Sequence, residues 1–320
     1  MSKNGEIVVI GGGTGLSTML RGLKRYTEHV TAIVAVSDDG GGSGVLRNDL
    51  GMLPPGDIRN CIVALSNAEP LMQRLFNYRF SDGSLAGQSF GNLFLAALNG
   101  VTGSFYEAVS KMSDVLAISG RVLPVTVEDV HLEAEFENGA VVRGESKIFA
   151  AKKAENSRIA CVRLLPEHPR ALPDALEAIH KAKLLVFGPG SLYTSIIPNL
   201  LVDGVVDAIR ASRARKVYVC NVMTQDGETE GYTALDHVRA LFDHSCEGLF
   251  DTCIVNETPI PDALSARYAE EGAACITADH ALFREAGIRL ITAPLLNTGG
   301  DLARHDPEAL ARALMGVLEE

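Results

Sequence analysis

A chain of 320 residues with 47% hydrophobic content can bury a sizeable core, which argues against disorder. Its formal net charge of −11 withholds the basic face that nucleic acid or an anionic membrane surface needs, so both are excluded as broad partners. Six scattered cysteines without a C-x-x-C pair, a start (MSKNGEIVV) without a signal region and no apolar run of roughly 18 residues read as a cytoplasmic, reduced protein.

Ile7 to Ile10 is a short, mostly β-branched apolar run ended by Gly11, Gly12, Gly13, Thr14 and Gly15, the pattern of a buried parallel strand opening into a tight loop. Met19, Leu20 and Leu23 follow at helical spacing, with Ser17 as candidate N-cap, so the loop would aim backbone N–H groups at an anion above the strand. Val30 to Val36 reads as a second strand, followed by Ser37, Asp38, Asp39 and a glycine loop that includes Gly42 and Ser43. A carboxylate at the end of strand two suits a ribose hydroxyl. The dinucleotide fingerprint nevertheless fails, because Leu16 stands where its third glycine belongs, and a Walker loop is excluded for want of Gly-Lys-Ser/Thr. Two unit charges about 5 Å apart at an effective dielectric near 20 repel by roughly 3 kcal/mol, so a sugar or a metal such as Mg²⁺ must intervene if Asp38 or Asp39 adjoins a diphosphate. A solvated turn, with both aspartates capping backbone amides, is the alternative.

Leu53-Pro54-Pro55-Gly56 predicts a rigid turn into a helix that Asp57 either caps or equips for catalysis, and Arg47 and Arg59 offer positive charge for a phosphate. Residues 66–118 read as helical, interrupted near Gly91-Asn92, where Asn92 either reaches a ligand or belongs to a helix cap. From Leu123 to Phe149 the period changes to two: a strand over 131–136, a turn at Glu137-Asn138-Gly139 and a return over 140–148 predict a β-hairpin inserted in the α/β chain. A helix over Pro173 to Lys181 leads back to the sheet. The strand Lys183 to Phe187 then ends in Gly188, Gly190, Ser191, Tyr193, Thr194 and Ser195, and the strand Val217 to Cys220 ends in Asn221, Thr224 and Gln225. Cys253 to Val255 and Ile288 to Ala293 are further strands, and helices span Ile260 to Gly272, with Tyr268, and Glu308 to Glu319, preceded by Arg304. Glycine-rich or polar loops at four strand ends form a pattern, since ligands of open α/β sheets bind there. The expected fold is a single α/β domain over 1–320, three-layered and Rossmann-like, with helices on both faces of a mostly parallel sheet and the hairpin at about 123–149.

The strings GGGTGLSTMLRGLK, SDDGGGSGVLR, LPPGDIRN, FGNL, GPGSLYTSIIPNLL and NVMTQDGET, in this order from residue 11 to 229, resemble the bacterial gluconeogenesis factor family, whose relatives include 2-phospho-L-lactate transferase. The resemblance implies a Rossmann-like fold and a role in growth on gluconeogenic carbon sources and in cell-wall morphogenesis. It also implies a UDP-sugar such as UDP-N-acetylglucosamine as ligand, with an unidentified cell-wall synthesis protein as partner and homo-oligomerisation as an option. The nucleotide-sugar contacts it implies are Gly11 to Gly15, Asp38, Asp39, Asn92, Gly188 to Ser195, Asn221 to Thr229, Tyr268 and Arg304. The alternatives are a phosphoryl- or nucleotidyl-type transferase, in which Asp38 and Asp39 hold Mg²⁺ as its catalytic residues, and an NAD-dependent oxidoreductase.

Overall fold

The computed structural model describes residues 5–297, 299 and 301–320. Among the described residues ten strands form two sheets: β1 (Ile7–Gly11), β2 (Val30–Val34), β3 (Arg121–Pro124), β4 (His131–Phe136), β5 (Val141–Arg143), β6 (Ile159–Leu165), β7 (Leu184–Phe187), β8 (Arg215–Val219), β9 (Thr252–Asn256) and β10 (Arg289–Ala293). Seven of them build one sheet in the order β10-β9-β8-β7-β1-β2-β3, with every neighbouring pair parallel. β1, β2, β7 and β9 are buried along their whole length, which is why they read as unbroken apolar runs rather than alternations.

Both faces of this sheet are covered. Ile7 and Val9 of β1 face one core with Met19, Leu20, Ile58, Ile62, Leu310 and Leu314, from the helices Gly13–Leu23, Gly56–Leu65 and Pro307–Glu319. Val8 and Ile10 face the other, with Ala175, Ile179, Ile209 and Leu241 from the helices Pro173–Lys181, Val205–Ala211 and Ala234–Asp243. The result is a three-layered, Rossmann-like α/β fold. Its chain runs outward from β1 to β3, then returns to place β7 on the opposite side of β1. The carboxyl ends of β1 and β7 therefore flank a topological switch point, where such sheets open a crevice.

The excursion between β3 and β7 differs from a hairpin. β3 begins it in sequence but belongs to the main sheet, paired with β2. The return expected over 140–148 stops at Arg143, because Gly144 at φ 102° turns the chain into the helix Glu145–Glu155. β6, which the periodicity does not single out, then pairs with β4 to complete a three-stranded antiparallel sheet in the order β5-β4-β6. Leu132, Ala134, Phe136, Val162 and Leu164 turn this sheet's inner face into the core beneath β1.

Several local expectations also move. The first helix starts at Gly13, not at Ser17, whose Oγ instead donates to Thr14 O at 3.0 Å from inside the first turns. Gly13 holds φ 69°, a conformation that favours glycine. The loop after β2 is shorter than the glycines suggest, since Gly41–Leu50 is helical. Ser89 is the N-cap of the helix Phe90–Thr102, accepting from Asn92 N at 3.2 Å. All six cysteines are free thiols, and among the described residues no helix is long and apolar enough to cross a membrane.

Candidate functional site

A cleft of about 650 Å³ opens above the carboxyl ends of β1, β7 and β8, at the switch point. From the loop after β1 it is lined by Gly13, Thr14 and Gly15; from the loop after β7 by Gly190 and Ser191; from the loop after β8 by Asn221, Thr224 and Gln225. Tyr268 and Arg304 close the far side, so three of the four loops and both C-terminal candidates converge.

Hydrogen bonds lock these loops to one another. Asn221 Nδ2 donates to Gly190 O at 2.8 Å, while Gly190 N donates to Asn221 Oδ1 at 3.1 Å, a reciprocal clamp between the loops after β7 and β8. Ser191 Oγ donates to Gln225 Oε1 at 2.8 Å, and Gln225 N donates to Thr229 Oγ1 at 2.9 Å. Thr224 is held twice, its N donating to Ala274 O at 2.7 Å and its Oγ1 accepting from Ala274 N at 2.8 Å. Tyr268 Oη accepts from Ala303 N at 3.2 Å, which ties the ring to the segment carrying Arg304. Below the lining, Asn199 Nδ2 donates to Gly11 O at 3.2 Å. A pre-ordered polar wall of this kind binds without a large ordering cost.

Other candidates lie outside the lining. Gly11, Gly12 and Gly188 form the floor beneath it; a Cβ on Gly12 would lie 3.3 Å from Ser195 Cβ, and one on Gly188 would lie 2.9 Å from Ile196 Cδ1. Tyr193 points into the core, its hydroxyl paired with that of Tyr232 at 2.8 Å. The amides of Tyr193 and Thr194 both donate to Glu228 Oε1, at 2.8 and 3.2 Å. Asn92 is buried and accepts from Arg59 Nε at 3.2 Å, with Asn77 Oδ1 accepting from the same guanidinium. Arg47 is also buried, held by Asp129 and Val130 O, so neither arginine lines the cleft.

Beside the cleft, at the ends of β1 and β2, carboxylates gather. Asp38 Oδ1 accepts from Gly40 N at 2.8 Å, and its other oxygen faces Ser43 and Gly56. Asp39 caps the helix Glu145–Glu155 instead, accepting from Ser146 N at 2.8 Å. Gly42 sits against the Gln88 carboxamide. Asp57 does not cap its own helix; Oδ2 accepts from Gly13 N at 2.6 Å and so satisfies the first amide of the glycine loop across 44 residues. Burial first, then the neighbouring Asp38 charge, push the Asp57 carboxyl up to about 6 against the pull of Gly13 N. Burial raises Asp38 too, with Asp39 adding to the effect, and Glu145 is raised well above the usual range by burial and by Asp38, Asp57 and Asp39.

The sequence leaves Asp57 open between a cap and a catalytic role, because a Pro-Pro-Gly-Asp turn carries no sign of the distant Gly13 amide. Glu228 lies within the polar string after β8, yet nothing in that string marks it as the acceptor for another loop. Phe149 and Lys153 line the cleft from the helix Glu145–Glu155, which begins within the return strand expected over 140–148, and His305 joins them beside Arg304. His305 is buried, which holds its imidazole down to about 4 and therefore neutral near pH 7.

The family model described as 2-phospho-L-lactate transferase CofD matches residues 7–296. A Thermoanaerobacterium thermosulfurigenes relative is 57% identical, with 98% of this chain and 97% of the relative covered. The gluconeogenesis factor of Bacillus subtilis is 47% identical over 100% of both chains. A crystal structure of a Bacillus halodurans protein superposes with a TM-score of 0.94 at 46% identity, covering 98% of this chain and 100% of that one. A second crystal structure of that protein, described as a UPF0052 family member, gives a TM-score of 0.93 at the same identity over 97% of this chain and 99% of its own.

Proposed function

The chain belongs to the gluconeogenesis factor branch of the CofD family, and on that premise we propose that it is a UDP-sugar-binding regulatory protein of growth and cell-wall morphogenesis on gluconeogenic carbon sources. The observation that carries the reading is the convergence of Gly13 to Gly15, Gly190, Ser191, Asn221, Gln225, Tyr268 and Arg304 on one cleft. Its volume suits a nucleotide sugar. Thr14 and Gly15 open a helix whose first amides lack intrahelical acceptors, Ser191 and Asn221 supply hydroxyl and amide groups for sugar or phosphate, and Arg304 supplies charge. Tyr268 offers an aromatic face to the base or sugar.

The lining favours binding over turnover. Its imidazole is buried and neutral, and of its two carboxylates Asp226 is ion-paired with Lys153 at 2.5 Å, so Glu271 stands there without an accessible imidazole to complete an acid–base pair among the described residues. Occupancy would then act by changing affinity for a protein of cell-wall synthesis. A dinucleotide is less suited: Asp38, expected at the ribose of NAD, lies outside the lining, and Leu16 is wholly buried in the core. Calorimetry with UDP-N-acetylglucosamine is expected to give micromolar or tighter binding, weakened about tenfold or more by Arg304→Ala through loss of a charge-assisted contact. No heat at millimolar ligand ends this reading.

The Asp38 and Asp57 carboxylates favour a second reading, a Mg²⁺-dependent phosphoryl- or nucleotidyl-type transferase. Burial pushes both up in pKa, and the Asp38 charge adds to the rise at Asp57 beside the glycine loop, a tension that a divalent cation would relieve. Among the described residues no group of three or more His, Cys, Asp or Glu side chains is arranged to hold a metal, so phosphate oxygens of the ligand would complete its shell. Asp38, Asp39 and Asp57 each accept one backbone amide, from Gly40, Ser146 and Gly13, and the pair beside the glycine loop, Asp38 and Asp57, would hold the ion. This reading expects Mg²⁺ to tighten nucleotide-sugar binding about tenfold in the parent protein and to leave Asp38→Asn unaffected. Equal Mg²⁺ dependence of both proteins removes Asp38 from that role.

A further inference from the structure

The helix Glu145–Glu155 joins the molecule at its ends and by a short apolar contact, with Ile148 in the core and Ala151 packed against it. Of its residues only Ile148 is buried. Asp39, from the loop after β2, accepts from Ser146 N at the amino end. At the carboxyl end Lys152 Nζ meets Glu230 Oε2 and Lys153 Nζ meets Asp226 Oδ2, each at 2.5 Å, both partners lying in the loop after β8. Phe149, half-exposed, packs its ring on Gly227 of that same loop.

Phe149 and Lys153 stand one turn apart, on a shared face, with the ammonium 5.0 Å from the ring centroid, and both line the cleft. The charged side chains of that lining are Lys153 and Arg304 against Asp226 and Glu271, so they cancel. A nucleoside diphosphate sugar is a dianion and needs more cation than such a wall offers through Arg304 alone. The Lys153 ammonium has three donors, and its side chain is 53% exposed while one donor is engaged by Asp226. The remaining donors are available to a phosphate oxygen without breaking that pair, and Asp226 holds the ammonium at the cleft wall.

We infer that Lys153 is a phosphate contact of the bound nucleotide sugar, held in place by Asp226, and that the helix Glu145–Glu155 closes on the ligand through Lys153 and Phe149. The inference rests on the nucleotide-sugar reading of the cleft. It makes the inserted segment, not only the strand-end loops, part of the binding machinery.

The test is calorimetry with UDP-N-acetylglucosamine on the full chain, paired with backbone hydrogen exchange over residues 145–155. Lys153→Ala should lose about tenfold or more in affinity, and Lys153→Arg should stay within about threefold of the parent. Lys147→Ala, which removes the same charge from an exposed position on the same helix outside the cleft lining, should bind like the parent. Ligand should slow exchange over 145–155 in the parent and much less in Lys153→Ala. If the parent binds, while Lys153→Ala binds equally well and exchange over 145–155 ignores the ligand, the inference fails and the nucleotide-sugar reading stands. If the parent itself gives no heat, the reading of the cleft fails and takes the inference with it.

Discussion

Gly15→Ala is expected to destabilise the fold by roughly 1–3 kcal/mol and to weaken UDP-sugar binding more than tenfold. An added Cβ would lie 2.6 Å from Pro189 O, 2.9 Å from its carbonyl carbon and 3.2 Å from Gly190 N, all of them backbone atoms. The obstructing loop has no easy retreat, because Gly190 is clamped to Asn221 by two hydrogen bonds, at 2.8 and 3.1 Å. Separating the loops after β1 and β7 would cost those bonds at about 0.5–1.5 kcal/mol each and would shift the amides facing the ligand. The matched control is Gly316→Ala, in the helix Pro307–Glu319, where an added methyl meets nothing within 4 Å. It should be neutral or stabilising by up to about 1 kcal/mol, as glycine is costly inside a helix. Urea denaturation and calorimetry on both variants check this pair. Parent-like stability and affinity in Gly15→Ala would show that the two loops do not meet as described.

The second large effect is expected at Glu228, 4% exposed and placed as the acceptor for the amides of Tyr193 and Thr194. Glu228→Ala leaves both donors buried without a partner, at about 1–3 kcal/mol each, whereas Glu228→Gln keeps an acceptor oxygen. Burial pushes this carboxyl up to about 7 from an ordinary value of 4.5, in spite of the amides that favour its charged form. Between those two values the folded state keeps a proton that the unfolded chain has released, so the contribution of Glu228 to stability falls as pH rises through the window. Glu228→Gln does not titrate. Its stability relative to the parent should therefore climb from about pH 4.5 to 7, by up to about 3 kcal/mol, and level off on either side. The comparison with the parent matters because His305, held down to about 4, works in the opposite direction over part of that range. A difference between the two proteins that stays flat across the window would mean that Glu228 is ionised like an exposed carboxylate.

Glu228 and Gly15 also mark how the site is built. Both join loops that follow different strands, and neither needs to touch a ligand to determine where the ligand-facing groups stand. Asp57 does the same from the other side, by holding Gly13 N at 2.6 Å. Pre-organisation of this sort places the cost of ordering the loops in folding rather than in binding.

Six of the seven strands of the main sheet, β1, β2, β7, β8, β9 and β10, are legible in the amino-acid order to within two residues at either end. Apolar runs such as Ile7 to Ile10 and Leu184 to Phe187, cut short by glycines, are legible because a strand buried on both faces has no polar alternation to confuse with anything else. The loops after β1, β7 and β8 were legible as site loops for the same reason, since parallel topology delivers successive carboxyl ends to one edge. Which side chains at that edge face the cleft depends on contacts between residues far apart in the chain. Arg47 and Arg59 look like phosphate ligands in one dimension, but their partners Asp129, Asn92 and Asn77 lie 18 to 82 residues away and draw both guanidiniums into the interior. Asp57 reads as either a cap or a catalytic group until a loop 44 residues distant supplies its donor. The segment 140–155 carries too little apolar periodicity to declare itself helical, because its helix is held at both ends by Asp39, Asp226 and Glu230 rather than along a buried stripe. Periodicity records which residues avoid water; long-range polar pairing leaves no period in the chain, and here it is that pairing which sets the site.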